Sequence, residues 1–289
     1  MPELPEVEIL VRHLRPALRG REVLGVTVLR SKIVRPDDAT SLAAALVGRR
    51  FHDVRRRAKY LLFELGRPGA KRVSSSVELT LVGHLGMTGR MFVQRREQPL
   101  PKHAAVTLDL GRDVFVFEDT RYFGRLNLEV TALDTLGPEP LEDEFTAEYF
   151  RAALQRSRQA IKVKLLDQTL VAGIGNIYAS EALFRAGISP RRPAHQLRPE
   201  RVERLVAAIR EVLAEAVQFG STIPLNLDGA PKKDRLFYYG ATEGTSEFYQ
   251  ERLRVYDRAG EACRQCRTPI RQCVQAARST YWCPSCQRG

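Results

Sequence analysis

The first residues of the chain combine an amine and two carboxylates that could do covalent chemistry. After loss of the initiator methionine, Pro2 would carry a secondary α-amine, with Glu3 and Glu6 close by in the sequence. An α-amino group titrates near ~8, far below a lysine at ~10.4, so a useful fraction is neutral and nucleophilic at physiological pH. A secondary amine that attacks an aldehyde-level carbon gives an iminium, which suits elimination chemistry. Alternatively, Pro5 opens a helix with Glu6 and Glu8 at its positive end, which leaves Pro2-Glu3 unexplained.

Four of the five cysteines, all near the end of the chain, have the spacing of a zinc ribbon. Cys263, Cys266, Cys283 and Cys286 form two C-x-x-C pairs separated by sixteen residues. Each two-residue knuckle lets both thiolates reach one tetrahedral metal ion, and a short hairpin between the pairs would close the site. Two disulfides are the alternative, but the odd Cys273 in a chain expected inside the cell argues against them. We therefore expect one structural Zn²⁺ with four thiolate ligands.

The charge balance indicates a polyanionic partner. The 289 residues include 46 Lys and Arg against 34 Asp and Glu, which gives a formal net charge of +12. A generally arginine-rich proteome is the alternative, because net charge describes the field around a protein and not its fold. There is no apolar run near ~18 residues and no signal-peptide pattern, so we expect a cytoplasmic protein without membrane contact.

The candidate residues are distributed over a β-rich first half and a helical second half. Apolar positions at helical spacing predict a helix over 5–18. From about 22 to 130 the pattern is mostly β, with strands expected at 60–65, 77–82, 105–110, 114–117 and 126–130, which indicates a sandwich or barrel. The acidic, proline-containing segment 134–145 is typical of a linker. Helices are then expected at 146–156, 160–167, 177–185 and 199–219.

The run Val171-Ala-Gly-Ile-Gly-Asn176 lies between two of the expected helices. Its glycines permit a turn that brings backbone N–H groups against a phosphate, and Asn176 can donate to the same oxygen. A plain helix-joining loop explains the run more simply, so the run alone assigns no function.

Several motifs in one order make the chain resemble the formamidopyrimidine-DNA glycosylase family, which also includes endonuclease VIII. The resemblance runs nearly from end to end and ends in the zinc ribbon. The motifs are Pro2-Glu-Leu-Pro-Glu-Val-Glu8, Arg57-Ala-Lys-Tyr-Leu-Leu62, His84-Leu-Gly-Met87, Asp119-Thr-Arg-Tyr-Phe-Gly124, Leu136-Gly-Pro-Glu-Pro140 and Gly173-Ile-Gly-Asn-Ile-Tyr-Ala-Ser-Glu181.

This resemblance implies an α+β protein of several domains, with DNA bound between them. We expect an N-terminal β-sandwich with flanking helices at 1–133, a linker at 134–145 and a helix–two-turn–helix domain at 146–222. A lesion-recognition loop region is expected at 223–250 and the zinc finger at 251–289. The stretch Pro224–Glu247 is longer than the family resemblance leads us to expect.

The resemblance also implies roles for the residues at the start of the chain. Pro2 resembles the nucleophile that attacks C1′ of the damaged nucleotide, expels the base and forms a Schiff base. Glu3 resembles the catalytic acid that protonates the sugar oxygen. Glu6 resembles a residue of the lesion pocket, and Lys59 resembles the catalytic lysine that binds a phosphate near the lesion.

Further residues resemble the family's DNA-binding set. Met87, Arg121 and Phe123 match a triad that fills the space left by a flipped-out base, although core packing also explains Met87 and Phe123. Lys59, His103, Arg121, Asn176 and Arg278 would bind DNA, and Arg278 is also expected in the catalytic set. The match at His103 is incomplete, because Lys102-His-Ala-Ala105 lacks a second histidine, and Tyr122 replaces a usual basic residue.

The function implied is a bifunctional DNA glycosylase and abasic-site lyase of base excision repair. Its expected partner is double-stranded DNA containing oxidised purines (8-oxoguanine, formamidopyrimidines) or abasic sites, and the expected state is a monomer in a bacterial cytoplasm, associated with the nucleoid. Two alternatives stay open. A non-catalytic zinc-ribbon DNA-binding protein has no use for Pro2-Glu3, and a sister enzyme for oxidised pyrimidines would keep the same machinery.

Overall fold

A computed structural model describes residues 2–67, 78–219 and 253–288, so the expected lesion-recognition loop region at 223–250, including Pro224–Glu247, lies outside the described residues. The described chain falls into two compact units. The first contains residues 2 and 6–134, and the second contains residues 3–5, 135–219 and 253–288. The domain limits expected from the sequence stay a prediction.

The first unit is built from strands, with two helices and short 3-10 turns. Its helices are α1 (Leu4–Leu18), whose first two residues group with the second unit, and α2 (Ala39–Leu46). Its strands are β1 (Gly25–Val28), β2 (Arg50–Arg57), β3 (Tyr60–Gly66), β4 (Leu79–His84), β5 (Gly89–Arg95), β6 (Ala104–Asp109), β7 (Asp113–Asp119) and β8 (Arg125–Asn127). The 3-10 turns are Ser31–Val34 and Thr131–Leu133.

The strands form two antiparallel four-stranded sheets that share one hydrophobic core. The sheet orders are β1-β6-β7-β5 and β2-β3-β4-β8. The ring of Phe63 on β3 meets that of Phe115 on β7 edge to face, with centroids 5.6 Å apart, so the two sheets pack face to face. The short alternating runs predict a sandwich or a barrel, and the structure is the sandwich that the family resemblance implies.

The expected helix at 5–18 is confirmed, because α1 buries its apolar stripe in the same core. Helix α2 is a difference from the β pattern expected for this region. It begins at an Asp38 cap, whose carboxylate accepts from the Ser41 backbone N–H at 2.8 Å while the Ser41 hydroxyl accepts from the Asp38 N–H at 3.1 Å. This reciprocal cap, followed by an alanine-rich run, favours a helix locally.

The second unit is helical and carries a two-stranded ribbon. Its helices are α3 (Ala147–Gln155), α4 (Ile161–Leu165), α5 (Asn176–Arg185) and α6 (Pro199–Phe219), with a 3-10 turn at Ala194–Gln196. All four helices expected from the sequence are present. The long α6 buries its predicted stripe, including Val202, Leu205 and Ile209, against α3 and α5.

The ribbon consists of β9 (Arg271–Gln275) and β10 (Arg278–Trp282), which pair antiparallel between the two cysteine knuckles. Gln275 pairs with Arg278, so the loop is only Ala276-Ala277, and both residues have positive φ (46° and 57°). This geometry is typical of a type I′ hairpin. Among the described residues, no helix is long and apolar enough to cross a membrane.

Candidate functional site

The carboxylate of Glu3 caps the N-terminus of α5. Its Oε2 accepts from the backbone N–H of Gly175 at 2.8 Å and of Tyr178 at 3.3 Å, and its Oε1 accepts from that of Ile177 at 2.9 Å. No side chain from the start of α5 supplies a cap, so a residue 172 positions earlier in the chain satisfies these donors. The positive end of the helix dipole stabilises the same negative charge.

The two glycines of the 171–176 run are required for this approach. A Cβ on Gly175 would lie 2.3 Å from the Glu3 carboxyl carbon, and a Cβ on Gly173 would lie 2.8 Å from Leu4. Gly173 also has φ +84°, and its carbonyl accepts from the Leu4 N–H at 3.0 Å. Glu3 is therefore 1% exposed and fixed, and the residue before it in the chain, Pro2, is partly exposed.

A buried lysine that the sequence analysis missed joins Asn176 to the ribbon. The Lys162 ammonium donates to Asn176 Oδ1 at 2.6 Å, to the Ser279 carbonyl at 2.9 Å and to Thr280 Oγ1 at 2.7 Å. The side chain of Lys162 is completely buried, and burial lowers its pKa to about 8. Asn176 Nδ2 also donates to the Ser279 carbonyl at 2.9 Å, so two bonds fix the residue that follows Arg278.

Tyr256 is a second residue that sequence reasoning missed. Burial is the largest cause that raises the pKa of its hydroxyl, the Glu3 carboxylate adds to it, and the nearby Asn176 side chain opposes it. Its ring meets that of Tyr281 on β10 with centroids 5.2 Å apart. The second unit thus gathers Glu3, Asn176 and the strand that begins with exposed Arg278, with Lys162 and Tyr256 between them.

The four cysteines of the two knuckles meet at one point in the ribbon. All four Sγ atoms lie within 4.8 Å of one another, with 3.9 Å between Cys263 and Cys286 and 3.4 Å between Cys266 and Cys283. Tetrahedral zinc with Zn–S bonds of about 2.3 Å requires sulfur separations of about 3.8 Å, so the donor set fits one zinc ion. Burial and the neighbouring sulfurs raise the pKa of Cys286, and a cation would relieve the repulsion among the thiolates. Cys273 is not part of the cluster.

In the first unit, Lys59 lies in a tight turn between β2 and β3. Arg57 pairs with Tyr60, which leaves a two-residue loop, and Ala58 adopts positive φ (53°) there. The Arg56 guanidinium donates to the Ala58 carbonyl at 3.2 Å and stabilises the turn. Lys59 is only 8% exposed, and its positive charge contributes to the environment of His84 at the end of β4.

His84 is a third residue that the sequence analysis did not select. Burial, and then the charges of Lys59 and Arg125, lower its pKa to about 4, so the imidazole is neutral at physiological pH. Its Nδ1 accepts from the Gly86 N–H at 3.1 Å, and its ring lies 4.9 Å from that of Tyr60. The neutral ring therefore fixes the turn that leads into Met87.

Met87, Arg121 and Phe123 lie on two neighbouring loops of the first unit. Met87 is 45% exposed and Phe123 is 48% exposed, so neither is a core residue. The Arg121 guanidinium lies 4.9 Å from the centre of the Phe123 ring. Exposed apolar side chains on short loops are the arrangement expected of residues that insert between bases.

His103 and Glu6 have different surroundings. His103 Nδ1 lies 3.4 Å from the Tyr122 hydroxyl, and the Arg30 guanidinium lies 5.5 Å from the Tyr122 ring centre. Glu6 is 5% exposed at the start of α1. The sequence motifs were sufficient to select His103 and Glu6. The contacts of Lys162 and Tyr256 depend on tertiary packing, and no local sequence pattern indicates them.

Three family models match the chain in the same order as these features. The Formamidopyrimidine-DNA glycosylase N-terminal domain matches residues 1–126, and the Formamidopyrimidine-DNA glycosylase H2TH domain matches residues 136–225. The Zinc finger found in FPG and IleRS matches residues 260–289. The match to this last model and the geometry of the four sulfurs confirm the predicted zinc ribbon.

The chain is also similar to individual proteins along its whole length. A Formamidopyrimidine-DNA glycosylase of Chloroflexus aurantiacus is 43% identical, over 99% of this chain and 98% of that protein. Crystal structures of the Lactococcus lactis enzyme are 30% identical. The structure of a variant in complex with a Fapy-dG containing DNA has a TM-score of 0.85, and the match covers 100% of this chain and 100% of that chain. The structure of the enzyme non-covalently bound to an AP site containing DNA has a TM-score of 0.83, and the match covers 99% of this chain and 100% of that chain. These neighbours confirm the predicted fold.

Proposed function

The chain belongs to the formamidopyrimidine-DNA glycosylase family, DNA glycosylases of the repair type that act on damaged DNA, and we propose that it excises oxidised purines from duplex DNA. The substrates proposed are 8-oxoguanine and formamidopyrimidines, and the same site would cleave the abasic strand that remains. The names of the curated relatives and the Fapy-dG and AP-site ligands of the Lactococcus lactis structures support this lesion class.

The observation that carries the proposed chemistry is the fixation of Glu3 beside Pro2. Three backbone N–H groups hold the Glu3 carboxylate, and Pro2 is its neighbour in the chain. In the proposed reaction the Pro2 nitrogen forms a bond to C1′ while the glycosidic bond breaks, and the base leaves with the bonding electrons and takes a proton from water. The Glu3 carboxylate then accepts the proton that the Pro2 nitrogen loses and passes it to the sugar oxygen as the ring opens. The resulting iminium acidifies the neighbouring sugar carbon, so β- and δ-elimination release both phosphates.

The remaining residues are proposed to bind and open the duplex. Lys59 and Arg278, together with His103 and Asn176, would hold phosphates around the flipped nucleotide, since cations and amides are the usual phosphate partners. Met87 and Phe123 would fill the space left by the base, and Arg121 would pair with the base opposite. Glu6 would line the lesion pocket. The high positive charge supports a DNA partner, and we propose a monomeric cytoplasmic enzyme.

Borohydride trapping on a duplex with 8-oxoguanine opposite cytosine tests the nucleophile. We expect a covalent adduct for protein that begins at Pro2, located by peptide mapping to the N-terminal peptide. Protein with an uncleaved residue before Pro2 should give none, because its nitrogen is then an amide, and Pro2→Ala should give far less. Pro5→Ala is the matched control and should still form the adduct. An adduct on an internal lysine, or no adduct even with abasic DNA, would contradict the proposed nucleophile.

A comparison of lesions tests the substrate class separately. We expect kcat/KM to be higher for 8-oxoguanine opposite cytosine than for thymine glycol. A preference for thymine glycol would favour the pyrimidine-directed alternative and leave the lyase chemistry intact. Binding without any excision or trapping would favour the non-catalytic zinc-ribbon protein.

A further inference from the structure

A single buried carboxylate bonds to both of the loops that carry the exposed apolar side chains. Asp119 is 0% exposed at the end of β7. Its Oδ1 accepts from the Thr88 hydroxyl at 2.5 Å and from the Arg121 N–H at 3.1 Å, and its Oδ2 accepts from the Gly124 N–H at 2.7 Å. Thr88 follows Met87 in the β4–β5 loop, whereas Arg121 and Gly124 bracket Phe123 in the β7–β8 loop. The carboxylate therefore links the two loops directly.

The backbones of the same loops are in contact beside this carboxylate. A Cβ on Gly86 would lie 2.7 Å from the Gly124 nitrogen and 2.7 Å from the Phe123 carbonyl carbon. A Cβ on Gly124 would lie 2.9 Å from the His84 carbonyl oxygen. Gly86 also has φ +62°, a conformation that favours glycine. The two loops are therefore packed too closely for a methyl group to fit between their backbones. We expect a displacement of one loop to displace the other.

A wedge that enters a base stack has to be stiff. Unstacking a base step costs a few kcal/mol, and a loop that first has to be ordered would add the entropy of its backbone and side chains to that barrier. Met87 and Phe123 are held nearly half exposed although water contact disfavours them, so their position depends on the order of the loops that carry them. The bonds to Asp119 supply this order before DNA arrives.

We propose that Asp119 is a positioning residue that joins Met87, Arg121 and Phe123 into one preformed wedge through its bonds to Thr88 and to the β7–β8 loop. This inference rests on the proposed role of the three wedge residues. Asp119 and Thr88 would affect the rate at which the base leaves the stack, and they would not affect the chemistry at Pro2.

Thr88→Val tests the link between the loops, because it removes the hydroxyl that bonds to Asp119 and keeps the side-chain shape. We expect single-turnover excision of 8-oxoguanine from duplex DNA to fall about tenfold, as for loss of one hydrogen bond to a charged group. The fluorescence rise of 2-aminopurine placed opposite the lesion should slow equally, while strand cleavage at a ready-made abasic site should fall less. Thr88→Ser restores the hydroxyl and should recover most of the rate.

Thr107→Val is the matched control, since Thr107 is a buried threonine of the same sandwich that lies on β6 between Thr27 of β1 and Val116 of β7, outside both loops. Asp119→Asn is the second variant and should show the same pattern as Thr88→Val, with thermal unfolding measured to show that it is folded. Equal losses of excision and abasic cleavage, or no slowing of the fluorescence change, would overturn the proposal. If the unaltered protein excised no 8-oxoguanine, the proposed lesion class would fail, and the fluorescence change on a stable abasic analogue would still test Asp119.

Discussion

At the scale of single residues, Lys162 of the second unit has an environment that is unusual for a lysine. All three ammonium hydrogens have oxygen partners, at 2.6 to 2.9 Å, and the side chain has no contact with solvent. Burial still outweighs the attraction of Cys273 and of the Glu3 carboxylate and lowers the pKa of Lys162 from its usual 10.5 to about 8. Relative to the neutral amine, the charged form of Lys162 is therefore less stable in the folded chain than in the unfolded chain.

This shift predicts a particular pH dependence of stability. Between about pH 8 and pH 10.5 the unfolded chain keeps a proton on Lys162 that the folded chain has released, so the free energy of unfolding should rise with pH across this window. The contribution is at most about 3.5 kcal/mol, because each pKa unit corresponds to about 1.4 kcal/mol. It should be present in the unaltered protein and absent from Lys162→Met.

Denaturant unfolding of both proteins from pH 7 to pH 10.5 measures this difference. Lys164→Met is the matched control, because Lys164 lies on the same helix but pairs with the Asp167 carboxylate at the surface. The control should follow the pH profile of the unaltered protein. Parallel profiles for Lys162→Met and the unaltered protein would show that Lys162 does not release its proton in this range.

Which site residues the sequence could reveal depends on where their signal lies. Pro2, Glu3 and the four ribbon cysteines stand out because their residue types and spacing alone indicate a specific chemistry. Lys162 and Tyr256 could not be found in this way, since a lysine in a short helix and a tyrosine in a highly charged stretch are ordinary until packing removes them from water. Asp119 belonged to a quoted motif, but its function as a link between two loops depends on the strand pairing.

At the scale of elements, a helix or strand could be predicted where its own sequence has a regular pattern of apolar residues. Helices α1 and α6 have regular apolar stripes, and both were predicted nearly to their ends. Strand β2 was not predicted, because its sequence RFHDVRRR is mostly charged and only Phe51 and Val54 are buried. Its neighbour β3 supplies the apolar surface that makes β2 a strand.

The ribbon hairpin offers a test of local backbone strain. Ala277 has φ 57° in the two-residue loop before Arg278, a conformation that costs a side-chain-bearing residue about 1 kcal/mol or more relative to glycine. We expect Ala277→Gly to raise the thermal unfolding temperature and to slow the release of zinc to a chelator, with a gain of about 0.5 to 1 kcal/mol. Ala262→Gly, in the same ribbon but at a position without positive φ, should lower the thermal unfolding temperature. Destabilisation by both changes would argue against the I′ hairpin.

At the scale of the whole molecule, we expect the metal site to support DNA binding through the ribbon. Cys263 and Cys283 belong to a small core with Phe184 of α5, Val255 and Tyr281, so loss of zinc removes the ribbon's main support. We predict that Cys266→Ser lowers the zinc content below one ion per chain and weakens binding to duplex DNA at least tenfold. Metal analysis and fluorescence anisotropy measure the two effects.

Cys273→Ser is the control for this experiment, because Cys273 lies in the same ribbon outside the four-sulfur cluster. It should keep one zinc ion and unaltered DNA affinity. Zinc loss from Cys273→Ser, or full affinity in a zinc-free protein, would contradict the structural role of the metal. Composition alone predicted the class of partner through the charge of +12, but which surface binds it depends on the fold.

The cap that Glu3 places on α5 also orders events in time. Its hydrogen bonds span 172 to 175 residues, so a ribosome that makes about 5 to 20 residues per second needs roughly 10 to 35 s after Glu3 before the partners exist. Throughout that interval α5 cannot hold Glu3, so an enzyme that trims nascent chains meets the start of the chain before this cap exists. The late formation of this cap thus leaves a period during synthesis in which the residues before Glu3, which include the proposed nucleophile Pro2, can be processed.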